Sequence, residues 1–156
     1  MKDKNTLVIF DFDNTLFRTR EFWREYLFPH YEKIGIPKEL MEVAFVKATS
    51  TKVDYFIQRL FIDELYMAFK NYPKKQLKEI FEKAVYSKLV KKYFYPGSLD
   101  IIKKMRKKYN VLLISYGDKN FKTRFFESCG INKYFFPEMD SHSPIQLGNH
   151  DCMMSE

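Results

Sequence analysis

Asp11 and Asp13 lie two residues apart in the stretch Ile9-Phe10-Asp11-Phe12-Asp13-Asn14-Thr15-Leu16. They follow the apolar run Thr6-Leu7-Val8-Ile9-Phe10 directly. Side chains alternate along an extended chain, so carboxyls two residues apart project to the same side. Such a pair suits chemistry on a phosphate ester. One carboxylate can attack phosphorus and form an aspartyl phosphate. The other can donate a proton to the leaving oxygen and later take one from water. Carboxylate and carbonyl oxygens are also the ligands a magnesium ion prefers, and the ion lets two anions approach each other. Asn14 tolerates the turn conformation that must follow. An Asp-x-Asp turn alone is common at strand ends, where it caps a helix without chemistry. Four apolar residues, Asp-x-Asp-Asn-Thr and then Leu-Phe form a much narrower pattern.

A β-branched apolar run that stops abruptly in polar residues reads as a strand buried on both faces of a parallel sheet. A second such run, Val111-Leu112-Leu113-Ile114, ends at Ser115-Tyr116-Gly117-Asp118. In open α/β sheets, ligands gather beyond the carboxyl ends of strands. The two strand ends therefore define one expected site. The chain between them, 19–89, reads as helical throughout. Ile34-Gly35-Ile36-Pro37 and Asn71-Tyr72-Pro73 break it, and Ser50-Thr51-Lys52 reads as a loop. Val53, Ile57, Leu60, Phe61, Leu65 and Phe69 predict one amphipathic helix, and Leu77, Ile80, Phe81, Ala84 and Val85 another. Phe22, Trp23, Tyr26, Phe28 and Tyr31 read as packing residues rather than a substrate box. Tyr95-Pro96-Gly97 is a turn, and Ser98 can cap the helix carrying Leu99, Ile102 and Met105. Asp118 can cap a last helix with Phe121, Phe125 and Cys129 on one face, ended by Gly130.

With these motifs in place, the sequence resembles the haloacid dehalogenase-like hydrolase superfamily. Its first motif, an apolar strand and then Asp-x-Asp-x-Thr, is matched by Asp11, Asp13 and Thr15. Its second, an apolar strand ending in Ser or Thr, is matched by Val111 to Ser115. The resemblance implies an α/β fold: a Rossmann-like parallel sheet core (1–17 and 93–156) with an inserted α-helical cap (18–92). It also implies that Asp11 is the nucleophile and a Mg2+ ligand. Asp13 is then the general acid/base and binds the metal through its backbone carbonyl. Thr15, Ser115 and the backbone N–H groups of Tyr116 and Gly117 are implied to hold the phosphate. The implied activity is a magnesium-dependent phosphatase acting on a small phosphorylated metabolite. The alternative is a non-catalytic relative that binds phosphate or protein. Arg18, Arg20 and Arg59 are candidate cap contacts to the substrate.

The family also needs a lysine to steady the phosphorylated aspartate, and a later acidic pair to complete the metal shell. Only 41 residues follow Ser115, the last lysine is Lys133, and 134–156 contain no Lys or Arg. That segment holds two of the three histidines, one of the two cysteines and three of the seven methionines. The compositional break predicts a truncated or altered C-terminal end. Ile145-Gln146-Leu147-Gly148-Asn149-His150-Asp151 offers Asp151, ahead of Asp140, as a substitute metal ligand, although its spacing leaves no room for an intervening helix and strand. Lys119 or Lys122 could supply the cation, but both read first as solvated lysines on the helix after Asp118. His142, His150 and Cys152 match no closed zinc pattern.

Aromatic residues make up 18% of the chain and hydrophobic residues 46%, enough for a packed core. The net charge of 27 − 20 = +7 suits anionic partners. Its lysines are scattered along helices, which favours a solvated surface over a nucleic-acid interface. Two cysteines give no disulfide framework, and neither a signal peptide nor a membrane-spanning run is present in the sequence, so a reduced cytoplasmic protein is expected.

Overall fold

The computed structural model describes residues 3, 5–49, 57–115 and 119–132. Strand β1 (Leu7–Asp11) and strand β2 (Asn110–Ile114) pair in parallel, with Leu7 opposite Asn110 and Asp11 opposite Ile114. Parallel strands need a long crossover. Its described elements are helical: α1 (Thr19–Glu21), a π-helical turn (Phe22–Leu27), α2 (Phe28–Glu32), α3 (Lys38–Thr49), α4 (Gln58–Ala68), α5 (Lys74–Val85), a 3-10 turn (Lys88–Tyr93) and α6 (Ser98–Lys108). Helix α7 (Lys119–Cys129) follows β2. This is an α/β arrangement in which both strands end on the same side of the sheet.

The punctuation inferred from sequence falls where expected. Lys38 opens α3 directly after Pro37, Pro73 is the N-cap of α5, and Gly130 adopts a left-handed φ of 64° after α7. The π turn stands just before Pro29. Proline lacks the N–H and its ring crowds the carbonyl four residues back, so a widened turn accommodates it. Val53 lies outside the described residues, and α4 starts at Gln58. Ser98 does not cap α6. Gly97, at φ 79°, is the N-cap and completes a tight turn in which Ser98 N–H donates to the Tyr95 carbonyl at 3.0 Å. Ser98 is already inside the helix, with a buried hydroxyl that finds no partner among the described residues.

The strands depart from the expectation of burial on both faces. Val111 and Leu113 are buried, but Leu7 is 55% and Ile9 53% exposed. With two strands among the described residues, one face of β1 has no layer against it.

The core is continuous and largely aromatic. Phe12 stacks on Phe17 at 5.2 Å between ring centroids and meets Phe126 edge-on at 4.9 Å. Phe17 and Phe22 carry the cluster to Phe125 and Tyr93, and Trp23 extends it to Phe45, Phe61 and Phe81. Edge-to-face pairs of this kind add about 0.5–1.5 kcal/mol each beyond area burial. Phe22, Trp23, Phe28 and Tyr31 are buried, as packing residues should be. Tyr31 is fully buried and donates its hydroxyl hydrogen to the Leu77 carbonyl at 2.9 Å, tying α2 to α5. Burial pushes its phenol well above the usual range, so it serves as a neutral donor. Tyr31→Phe is expected to cost about 1 kcal/mol, because it removes the donor and leaves a buried carbonyl short of a partner. Urea unfolding should show a lower midpoint at an unchanged slope.

Candidate active site

Phe12 sets the geometry. Its ring is locked in the aromatic core, while its neighbours Asp11 and Asp13 face out of it. Its N–H donates to the Ile114 carbonyl at 3.1 Å, which carries the β1–β2 ladder one residue past the strand end. Its carbonyl accepts from the N–H groups of Thr15, Leu16 and Phe17 at 3.0–3.3 Å, folding the next five residues into a knot. Asn14 takes the left-handed conformation that knot requires, at φ 57°.

Asp13 is the hub. Its Oδ1 accepts from the Thr19 hydroxyl at 2.8 Å. Its Oδ2 accepts from the Ser115 hydroxyl at 2.8 Å and from Lys122 Nζ at 2.7 Å. The ends of β1 and β2, the start of α1 and the side of α7 are thus joined at one carboxylate. Burial alone would raise the Asp13 pKa. The ammonium charge of Lys122 and the hydrogen bonds from Lys122, Thr19 and Ser115 outweigh that, and the carboxyl is held below its ordinary value. Asp13 is therefore an anion near neutrality. A carboxylate whose folded pKa lies below its unfolded one stabilises the fold above the unfolded value. That contribution starts to fade as pH falls below about 3.8 and is gone once pH drops through the folded value. Stability differences between the wild type and Asp13→Asn should accordingly be greatest at neutral pH and shrink on the acid limb, as read by urea midpoints between pH 7 and pH 2.

Asp11 differs from Asp13. It is exposed at the end of β1, and its Oδ2 accepts from the Thr15 hydroxyl at 2.6 Å. Thr15, expected at the phosphate, thus directs its hydroxyl at the Asp11 carboxylate. No donor of the described residues reaches Asp11 Oδ1 or the Asp13 backbone carbonyl. These two oxygens are of the hard type that Mg2+ takes, and Mg2+ commonly keeps several waters for the remaining positions. The donor set therefore fits the ion, although only through part of its shell. No cluster of three His, Cys, Asp or Glu occurs among the described residues. Tyr116, Gly117 and Asp151 lie outside the described residues, as do Asp140, His142, His150 and Cys152.

Lys122 corrects the reading of it as a solvated lysine. It is only 8% exposed, and its ammonium lies 5.3 Å from the centre of the Phe12 ring as well as on Asp13. Ring and carboxylate together offset the cost of burying the charge. A sequence signal for this exists. Phe126 and Cys129 are buried alongside Phe121 and Phe125, so the apolar face of α7 is wide. Lys122 stands four residues before Phe126, on that face and not opposite it. Ser115, 2% exposed, is the strand-end hydroxyl expected there.

Arg18 donates through Nη2 to the Lys92 carbonyl at 2.9 Å and lies 5.7 Å from the centre of the Tyr93 ring. It clasps the chain entering the helical stretch to the chain leaving it. Arg20 is exposed beside the site, and its N–H donates to Asn14 Oδ1 at 3.4 Å. Arg59 lies on α4 at a separate cavity lined by α4 and α5.

Comparison with known proteins agrees with this geometry. Residues 8–137 match the family model described as haloacid dehalogenase-like hydrolase. The fold is similar to that of a haloacid dehalogenase-like hydrolase from Burkholderia xenovorans LB400, with a TM-score of 0.66, 15% identity, and 85% of this chain on 60% of that one. It is also similar to the HAD-hydrolase YfnB from Bacillus subtilis bound to magnesium, with a TM-score of 0.51, 14% identity, and coverage of 85% and 63%. A structure described as a dehalogenase gives a TM-score of 0.53, 16% identity, and coverage of 82% and 58%. The chain thus spans about three fifths of the length of these structures. No curated protein matches the sequence. No helix among the described residues is long and apolar enough to cross a membrane. The paired aspartates after β1, the serine after β2 and a family match over most of the chain lead to one assignment: the chain belongs to the haloacid dehalogenase-like hydrolases.

Proposed function

We propose that the protein is a magnesium-dependent phosphatase that hydrolyses a small phosphate monoester, a phosphorylated metabolite, through an aspartyl phosphate on Asp11. The observation that carries this reading is the convergence of Ser115 and Lys122 on a single Asp13 oxygen, beside an exposed Asp11. A hydroxyl donor and an ammonium that meet one carboxylate oxygen can equally meet one phosphoryl oxygen. Mg2+, held by Asp11 and the Asp13 carbonyl, would supply positive charge against the phosphoryl oxygens. Asp11 attacks phosphorus, and the P–O bond to the leaving group breaks. Asp13 supplies the proton that the leaving oxygen takes up, then accepts one from the water that cleaves the acyl phosphate. A phosphoryl dianion arriving next to Asp13 raises its proton affinity and draws Ser115 and Lys122 away from it, which moves the carboxyl toward the protonated form a donor requires. The helices of 18–92 would act as the cap that closes over the substrate.

Dehalogenation is the second reading, favoured by a dehalogenase among the similar folds. There a carboxylate displaces halide from carbon, and the departing halide needs no proton. A second carboxylate beside Asp11 would have no leaving group to protonate in that reaction, and its remaining use would be as base for the water that cleaves the ester on Asp11. The two readings separate in one assay pair: phosphate release from p-nitrophenyl phosphate with magnesium or with excess EDTA, and halide release from a 2-haloacid. Magnesium-dependent phosphate release is expected. Halide release without phosphate release would overturn the proposal.

A further inference from the structure

In the free protein, the two side-chain donors proposed for the phosphoryl group are already engaged. Ser115 Oγ and Lys122 Nζ both donate to Asp13 Oδ2, at 2.8 and 2.7 Å. A hydroxyl carries one hydrogen, so Ser115 serves one acceptor at a time. Lys122 pairs with no other carboxylate among the described residues. It is buried with its ammonium beside the Phe12 ring, so the charge has little room to follow an incoming group elsewhere.

Exposure points the same way. Ser115 is 2% and Lys122 8% exposed, whereas the Asp13 side chain is 31% exposed. The two donors are screened from solvent, and the acceptor they share is not. Thr19 donates to the other carboxylate oxygen, Oδ1, at 2.8 Å, so Asp13 has a third bond against turning away. A phosphoryl dianion within reach of Ser115 and Lys122 would stand in contact with this carboxylate. Like charges at contact, out of bulk water, repel strongly. The position is filled by a group with the charge sign and the oxygen acceptors of a phosphoryl group.

We infer that Asp13 is a built-in competitor for the phosphoryl position: in the free protein its carboxylate occupies the anion site made by Ser115 and Lys122, and phosphate binds there only by displacing it. Phosphate as the incoming anion rests on the phosphatase reading. The consequence is discrimination between an ester and free phosphate. Inorganic phosphate has only its own contacts with which to displace Asp13. A phosphate ester brings its organic group as well, and contacts to that remote part offset the cost of the displacement. The phosphate left after turnover meets a returning carboxylate, which weakens product inhibition.

The test is calorimetric titration of the full chain with inorganic phosphate, in EDTA so that no metal takes part. Asp13→Asn leaves a neutral, weaker acceptor in place of the carboxylate. It is expected to bind phosphate about 10–100-fold more tightly than wild type, the scale of one charge-assisted hydrogen bond. Asp11→Asn removes a nearby charge that neither Ser115 nor Lys122 touches, and should gain far less. Made in a Lys122→Met background, Asp13→Asn should lose most of its gain. Equal gains in the two single variants, or a gain that survives Lys122→Met in full, would mean charge repulsion alone and overturn the proposal. So would no gain in a folded Asp13→Asn protein. A phosphate-soaked crystal of the wild type keeps the test independent of that variant's stability. Phosphate oxygens on Ser115 Oγ and Lys122 Nζ, with Asp13 turned off both, are expected; phosphate bound there while Asp13 keeps both bonds would refute displacement. No turnover of p-nitrophenyl phosphate, with the Asp13→Asn gain present, would strike the phosphatase reading and leave the competitor standing.

Discussion

Asp11→Asn is expected to abolish turnover of an aryl phosphate, lowering kcat/KM by about four orders of magnitude or more while the fold stays intact. The amide has almost the shape of the carboxylate but is a far poorer nucleophile toward phosphorus. It also loses the charge that would hold Mg2+. The fold should be indifferent, because Asp11 is exposed and the asparagine oxygen can still accept from the Thr15 hydroxyl, now 2.6 Å from Asp11 Oδ2. Surface substitutions of this kind usually stay within about 0.5 kcal/mol. The comparison with Asp13→Asn is informative. That variant should lose both activity and neutral-pH stability, since Asp13 holds four elements together, whereas Asp11→Asn should lose activity alone. Mass spectrometry of wild type quenched during turnover should locate a phosphoryl group on Asp11. Equal rates for Asp11→Asn and wild type would sink the nucleophile assignment.

The placement of Asp11 and Asp13 was legible because their signal is local. Apolar runs that end in Asp-x-Asp and in Ser fix two strand ends, and the parallel pairing of those strands brings Ser115 to Asp13 across 102 residues of chain. The turn was legible for the same reason: Asn14 does at φ 57° what its type allows. Contacts decided by tertiary packing were less visible. Ser98 has the type of a helix cap, but Pro96 and Gly97 complete the turn one residue early and put its hydroxyl inside. Leu7 and Ile9 have the types of a strand buried on both sides, yet local pattern cannot say whether a covering layer exists. Lys122 shows the limit most sharply. Seen alone it is one of many lysines on a basic chain. Its meaning comes from a carboxylate 109 residues earlier and from the width of an apolar face that includes Phe126.

That lysine carries the second large effect. Lys122→Met is expected to reduce kcat/KM by roughly 10²–10³-fold, the scale seen when one preorganised donor is removed from a charge-stabilising site. Methionine can follow the buried path of the lysine stem against Phe12, so the variant removes the ammonium without leaving a large void. Two terms oppose each other in stability. The charge-assisted bond to Asp13 is lost, a contribution of about 1.5–3 kcal/mol. The cost of holding an ammonium 8% exposed disappears with it. A net loss of about 1 kcal/mol is expected, since Asp13 keeps the Thr19 and Ser115 hydroxyls. The pH behaviour distinguishes a working cation from a merely structural one. Without the ammonium, its charge and its hydrogen bond no longer lower the Asp13 pKa, which must rise, so the loss of stability on the acid side that Asp13 causes should shrink. If Lys122 also meets the phosphoryl group, the binding of inorganic phosphate should weaken along with turnover, and added magnesium should not restore it. A Lys122→Met protein with wild-type phosphate affinity and activity within twofold of wild type would assign Lys122 to the fold alone and leave the phosphoryl group to Ser115 and the metal.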